Sequence, residues 1–339
     1  MHSLLIAPVG GPSTAGRLRA AETADTTIAP RSLPVCAGCL SQRWTERSGR
    51  RIARLLKCET CGTWYMEAHR KGASELYETY YRSTAARRFV GPFDLLWSAL
   101  RKRKALLIGR HSPPGARLLD VGCERGELLN VLRRHGFAVH GTQISRSAAN
   151  YAAKTFGIDV FVGELDDAPY DQGSFDAVLM LHVLEHLPDP NGYAASVRRL
   201  LRRGGRFWVE VPNSLSLTAR MFNLEWLHAD PEHHFWAFSL TGLRALLDRH
   251  GFTIEQTYHW SWQHGPIGCA QSWLNAIPGP RNVLFNVATR GFSRGGLVLE
   301  LFHCVLAIAL LPAAMLVSGV ESTTRNGQVV LVRARKAEG

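Results

Sequence analysis

Four groups of residues in this 339-residue chain have the types and spacing for chemistry. The first is a double pair, Cys36-Ala37-Gly38-Cys39 and Cys58-Glu59-Thr60-Cys61. Four thiolates at this spacing predict a closed tetrahedral zinc site, which is structural rather than catalytic. The second is Leu118-Leu119-Asp120-Val121-Gly122-Cys123-Glu124-Arg125-Gly126, an apolar run that turns through glycines. Glycine at such a turn lets the backbone approach a ligand closely. The third is His182, Glu185 and His186, which would share one face of a helix and so could serve as a base or hold a metal. The fourth is Pro231-Glu232-His233-His234-Phe235-Trp236-Ala237-Phe238-Ser239, where two histidines precede an aromatic run. Each histidine has an ordinary packing role as its competing reading.

The elements that must position these groups alternate from Ala116 onward. Strands are expected at Arg117–Val121, Ala138–Gln143, Val160–Val162, Ala177–Leu181, Arg206–Val211, Thr253–Trp260 and Gln328–Arg335. Helices are expected at Glu127–His135, Ser147–Thr155, Gly192–Leu201 and Leu240–His250. Such alternation predicts an α/β fold, a Rossmann-like doubly wound sheet of seven strands with ligands at the carboxyl ends of the strands. The expected organisation is a disordered leader over 1–34, a zinc knuckle over 35–66 and a helical basic linker over 67–115. The main domain spans 116–261 and 326–339, and an apolar insertion fills 262–325.

The glycine segment resembles the first motif of class I S-adenosylmethionine-dependent methyltransferases, an acid followed by spaced glycines. The resemblance continues in order. Val139–Ile144 is similar to the second strand of that family, Gly163-Glu164-Leu165 to the loop beneath adenine, and Ser174–Val178 to the entry of the fourth strand. Leu184-Glu185-His186-Leu187-Pro188-Asp189-Pro190 and the strand ending in Val211-Pro212-Asn213 also match. The resemblance implies that S-adenosylmethionine is held by Asp120, Gly122, Cys123, Gly126, Gln143, Ile144, Glu164, Leu165 and Leu181. It implies catalytic roles for His182, His186, His233 and His234. In similar ubiquinone-pathway O-methyltransferases an acid–acid–His trio stands here, and this chain has His182 for the first acid. Two further departures bear on the cofactor. The middle glycine of the first motif is Glu124, and the acid that grips the ribose hydroxyls is Gln143, a weaker acceptor.

Residues Leu297–Val317 form an apolar run long enough to span a membrane. A strand that must return to the same sheet afterwards argues for a segment lying in the membrane interface instead, with Arg281, Arg290 and Arg294 among headgroups. A buried or dimer-forming hairpin is the competing reading. The formal net charge is +12, and residues 1–110 carry 19 Lys and Arg against 8 Asp and Glu. A basic arm suits nucleic acid, an anionic membrane or a phosphorylated substrate. Seven cysteines, three of them scattered, suit metal binding in a reducing compartment better than a disulfide framework. The short run Leu4–Val9 lacks the makings of a secretory signal. The expected activity is O-methylation of a sugar or other small molecule, with a lipid-linked or cell-envelope glycan preferred, in the cytoplasm or on the inner face of the membrane. An RNA methyltransferase is the alternative suggested by the knuckle and basic arm. A non-catalytic scaffold is suggested by Glu124 and Gln143.

Overall fold

The computed structural model describes residues 33–49, 52–67, 92–262, 264–293 and 295–337. Residues 1–32 of the leader expected over 1–34, and the stretch 68–91 of the linker expected over 67–115, lie outside the described residues.

Alternating side chains explain the main sheet. Strands β4 (Arg117–Val121), β5 (Ala138–Gln143), β6 (Phe161–Val162), β7 (Phe175–Leu181) and β8 (Leu201–Pro212) run parallel. Strand β11 (Val329–Lys336) lies antiparallel between β8 and β10 (Phe252–Tyr258). The order across the sheet is β10-β11-β8-β7-β4-β5-β6. One face packs Leu119, Val178, Met180, Val209 and Val332. The other packs Leu118, Leu179, Trp208 and Leu331, covered by helix α1 (Pro92–Arg110) through Ala105 and Ile108. Period-two alternation thus feeds two cores from one sheet.

The connecting helices start where short polar side chains can take the orphan amide groups. Ser145 opens α3 (Arg146–Phe156), which follows α2 (Glu127–Arg134). Asp189, followed by Pro190, opens α4 (Pro190–Leu200). Ser216 and Ser239 open α5 (Leu217–Phe222) and α6 (Leu240–Arg249).

The cysteine segment folds as three antiparallel strands, β1 (Trp44–Gly49), β2 (Ile52–Cys58) and β3 (Trp64–Glu67). A fourth strand, β9 (Trp236–Ala237), joins from far along the chain, pairing Trp64 with Ala237 and Tyr65 with Trp236. Ser239 Oγ donates to the Cys61 carbonyl, Ser214 Oγ donates to the Gly62 carbonyl, and Arg249 donates to the carbonyls of Ala37 and Gly38. Gly38 packs so closely on Gly242 that a Cβ would lie 2.8 Å from its Cα. The cysteine ribbon and the parallel sheet therefore belong to one compact unit, which begins at Val35.

Between β10 and β11 the chain forms α7 (Pro266–Asn275), α8 (Val283–Arg290) and α9 (Leu297–Thr323). Helix α9 is long and apolar enough to cross a membrane, with a mean hydropathy of 2.3 over its most apolar window. Its polarity is inverted. The residues it buries include His303, Ser318 and Glu321, while Val298, Val305, Ile308 and Leu316 are exposed. Glu321 Oε1 accepts from both the amide and the hydroxyl of Thr218, at 2.6 and 2.8 Å, and so ties the end of α9 to the start of α5. Both flanking strands sit in one sheet, and α7 and α8 are too short to return across a bilayer, so α9 cannot serve as a single crossing.

Candidate active site

The glycine turn after β4 is built as its residues require. Gly122, Glu124 and Gly126 all take left-handed backbone, with φ of 68°, 50° and 73°. The amides of Gly122 and Cys123 both donate to the Thr142 carbonyl, which pins the loop to β5. A Cβ on Gly122 would meet Val183 Cγ2 at 2.7 Å. Gly122→Ala is therefore expected to cost about 1–3 kcal/mol of stability and at least tenfold in cofactor affinity (about 1.4 kcal/mol). Urea unfolding and titration calorimetry would read the two effects.

The carboxyl ends of β4, β5 and β6 present the expected cofactor residues in a row. Asp120 is buried, and burial, helped by the charge of Glu124, pushes its carboxyl up to about 8. Gln143 is buried, and its Oε1 accepts from the Ser145 amide at 3.2 Å, so part of its capacity holds its own loop. Ile144 is half-buried beside it, and Leu165 is buried. Glu164 is exposed and accepts from the Tyr193 hydroxyl of α4. Leu181 ends β7, half-buried. Cys123 turns its thiol inward against Leu129 and Ile158, so only its backbone faces the turn. A backbone-permissive turn, an amide and a carboxylate at three adjacent strand ends fit an extended nucleoside such as that of S-adenosylmethionine.

At the next strand end, five histidines converge. His182 follows β7 directly with a φ of 57°, outside the short 3₁₀ turn Leu184–His186. The shared helical face expected for His182, Glu185 and His186 is thus replaced by a tight turn, because the chain reverses at His182. The contact survives: His182 Nδ1 lies 3.1 Å from Glu185 Oε1, and its Nε2 lies 3.5 Å from Glu210 Oε2. Glu210 also pairs with Lys104 of α1. His182 is therefore held between two buried carboxylates. His186 Nδ1 donates to the His233 carbonyl at 2.9 Å, and His234 Nδ1 donates to the His228 carbonyl at 3.0 Å. These bonds place the ring proton of each on Nδ1 and the lone pair on Nε2. His233 turns instead to Asp230, 2.8 Å away. The rings of His228 and His264 pack against His182.

Burial alone would raise Glu185, but the hydrogen bond and charge of His182 pull it down to about 2. Burial, joined by His234, pushes His186 down to about 4. Burial, joined by His182, pushes His228 down to about 3. Unfolded imidazoles titrate near 6.5, so between these limits the unfolded chain binds more protons than the folded one. The stability supplied by these two rings is complete above about pH 6.5 and is lost as the pH falls toward 4 and below. The melting midpoint is expected to drop steeply over that window. A flat acid profile would contradict the burial of these rings.

Glu185, His186 and His234 also bring one ligand atom each within 4.8 Å of one another. The four ribbon cysteines do the same, with Cys36 Sγ to Cys61 Sγ and Cys39 Sγ to Cys58 Sγ both 3.6 Å. A zinc–sulfur bond of about 2.3 Å in a tetrahedron needs sulfur edges of about 3.8 Å. The cysteines therefore fit zinc.

Sequence reasoning missed Lys104, Glu210, His228, Asp230 and His264. Glu210 carried a signal, as a lone acid within the apolar run Phe207-Trp208-Val209-Glu210-Val211. Trp226 and Trp236 are core residues, whereas Trp260 and Trp262 line a cavity.

Residues 94–257 match the family model described as Methyltransferase domain. The chain is 32% identical over 129 residues to the ubiquinone biosynthesis O-methyltransferase of Xanthomonas axonopodis pv. citri (strain 306), covering 36% of this chain and 54% of that protein. It is 38% identical over 99 residues to the protein of the same name from Alkalilimnicola ehrlichii, covering 27% of this chain and 39% of that protein. The chain spans about half the length, or less, of these curated relatives. Among solved structures, the [4+2]-cyclase SpnF is similar with a TM-score of 0.51 and 17% identity, over 80% of this chain and 100% of that one. That likeness establishes the fold.

Proposed function

We propose, starting from residues 94–257 as a class I methyltransferase domain, that the chain is an S-adenosylmethionine-dependent O-methyltransferase acting on a small molecule. The observation that carries this reading is one line of strand ends. The turn at Gly122, the amide of Gln143 and the carboxylate of Glu164 lie on one side, and the His182–Glu185 pair lies at the neighbouring end of β7. The bound cofactor would supply an activated methyl group on a sulfonium.

The chain's own part is to align the acceptor and take its proton. His182 is the proposed base. Glu185 fixes its ring through Nδ1, and Glu210 lies beside Nε2, so two carboxylates stand ready to stabilise the imidazolium that forms. His186 and His234, whose rings pack against each other beside the His182–Glu185 pair, are proposed to line the acceptor side. His233 supports that segment through Asp230. The cysteine ribbon is proposed to hold structural zinc.

A second reading of the histidine site has a divalent cation on Glu185, His186 and His234, favoured by their mutual approach. Treatment with a chelator too weak to strip the four-cysteine zinc, with one zinc per chain verified afterwards by metal analysis, discriminates the two. Proton transfer by His182 alone is expected to leave activity within about twofold, whereas loss of an essential cation would abolish it. Binding to the acceptor is proposed to occur at a membrane surface, on the inner face. The exposed apolar side of α9 motivates this, and a lipid-linked or envelope sugar is the preferred acceptor class. Calorimetric titration with S-adenosylmethionine and S-adenosylhomocysteine tests the cofactor, followed by methyl transfer to nucleotide- and lipid-linked sugars. A folded sample that binds neither cofactor form would overturn the proposal and favour a scaffold.

A further inference from the structure

A cavity of about 790 Å³ lies between α1, the end of β10 and the carboxyl end of α9. Residues of α1 at helical spacing form one wall, among them Arg103 and Arg110. Arg325, just past α9, also lines it. Arg103, Arg110 and Arg325 have no carboxylate partner among the described residues, whereas Lys104 is neutralised by Glu210. The Arg103 guanidinium sits 6.0 Å over the ring of Trp262, which also lines the space. His259 completes the wall. It is 9% exposed, and both its ring nitrogens are buried without a hydrogen-bond partner. A buried polar ring left unsatisfied calls for a ligand group to meet it. Glu210 belongs to this cavity and also lies 3.5 Å from His182.

We propose that this cavity is the acceptor site and that it recognises a phosphate or diphosphate group on the acceptor, borne either by a nucleotide or by a lipid. The inference rests on the methyltransferase reading and deepens it. Arg103 and Arg110 of α1 and Arg325 beyond α9 give the lining three guanidinium groups, which suit a multiply charged oxyanion because each can bind it through paired hydrogen bonds. Trp262 offers an apolar face beside the anion, and His259 offers a ring nitrogen to a further polar group. An acceptor anchored there reaches His182 past Glu210. The carboxyl end of α9, a helix with an exposed apolar side, lines the cavity, so a lipid-borne phosphate is a source to test beside a soluble one.

The test is calorimetric titration of the full chain and of the double variant R103A/R325A. The probes are inorganic pyrophosphate, uridine diphosphate and phosphatidylcholine vesicles containing a polyprenyl diphosphate. Binding that weakens at least about tenfold in the variant is expected. If pyrophosphate and uridine diphosphate show this loss, the source is a soluble phosphate. If only the vesicles show it, the source is a lipid. No binding of any probe, or binding that the variant leaves unchanged, overturns the proposal. S-Adenosylhomocysteine is titrated into the same samples. Its retention with no phosphate binding removes the cavity assignment alone, and its loss removes the methyltransferase reading on which the assignment rests.

Discussion

Glu185→Gln is expected to lower kcat for methyl transfer about 10²- to 10³-fold, with S-adenosylhomocysteine affinity changed less than about threefold. Glutamine keeps the shape of the side chain and an acceptor oxygen for His182, so packing in this fully buried position is preserved. What it removes is the negative charge. That charge is secure in the wild type, because His182 holds the Glu185 carboxyl at about 2 despite its burial. When His182 takes a proton from the acceptor, the new positive charge forms 3.1 Å from this carboxylate, in a setting that water screens poorly. Without the anion the imidazolium is less stable and the ring is a weaker base. His182→Asn, in a left-handed position that asparagine tolerates, should produce a loss of similar size. The double variant should add little to either. Unchanged kcat in Glu185→Gln would take the base away from this pair.

Removal of zinc should produce the other large effect. Structural zinc in small ribbons supplies binding free energy on the order of 10 kcal/mol that is also folding free energy. Cys58→Ser, or a strong chelator with mild denaturant, is expected to unfold β1–β3. The damage should not stop there, because β9 pairs with β3 and Ser239 is bonded to the Cys61 carbonyl. The segment carrying His233 and His234 immediately precedes β9, so it loses its fixed edge. Hydrogen exchange should show lost protection in 52–67 and 233–239 with the central strands β4, β7 and β8 still protected, and turnover should fall at least about 100-fold. One zinc per chain by metal analysis is the companion expectation. A zinc-free chain with the same melting temperature and turnover would refute this account.

The parallel sheet was legible because period-two apolar runs, glycine turns and serine or aspartate caps are local signals. The cysteine pairs were legible for the same reason, as their spacing is written within 26 residues, Cys36 to Cys61. The histidine site was legible only in part. His182, Glu185 and His186 are neighbours in the chain, but Glu210, His228 and His264 reach them through the order of strands and the return of loops. Nor could local pattern show that β9, two residues long, would pair with Trp64 and Tyr65, more than 160 residues earlier in the chain. The inverted polarity of α9 was hidden as well. Its composition reads as uniformly apolar, and only packing against α7 reveals that the few polar residues face inward.

The place of β11 has a consequence for how the molecule is made. In the chain it follows α9, yet in the sheet it lies between β8 and β10. During synthesis β8 and β10 therefore emerge before the strand that joins them, and β10, at the edge of the sheet, has no strand partner in it until β11 is made. That pairing forms only after the 27 residues of α9 have left the ribosome and found their place. Until then an unpaired strand edge is open to pairing with other chains, and the last strand to be made is the one that protects it.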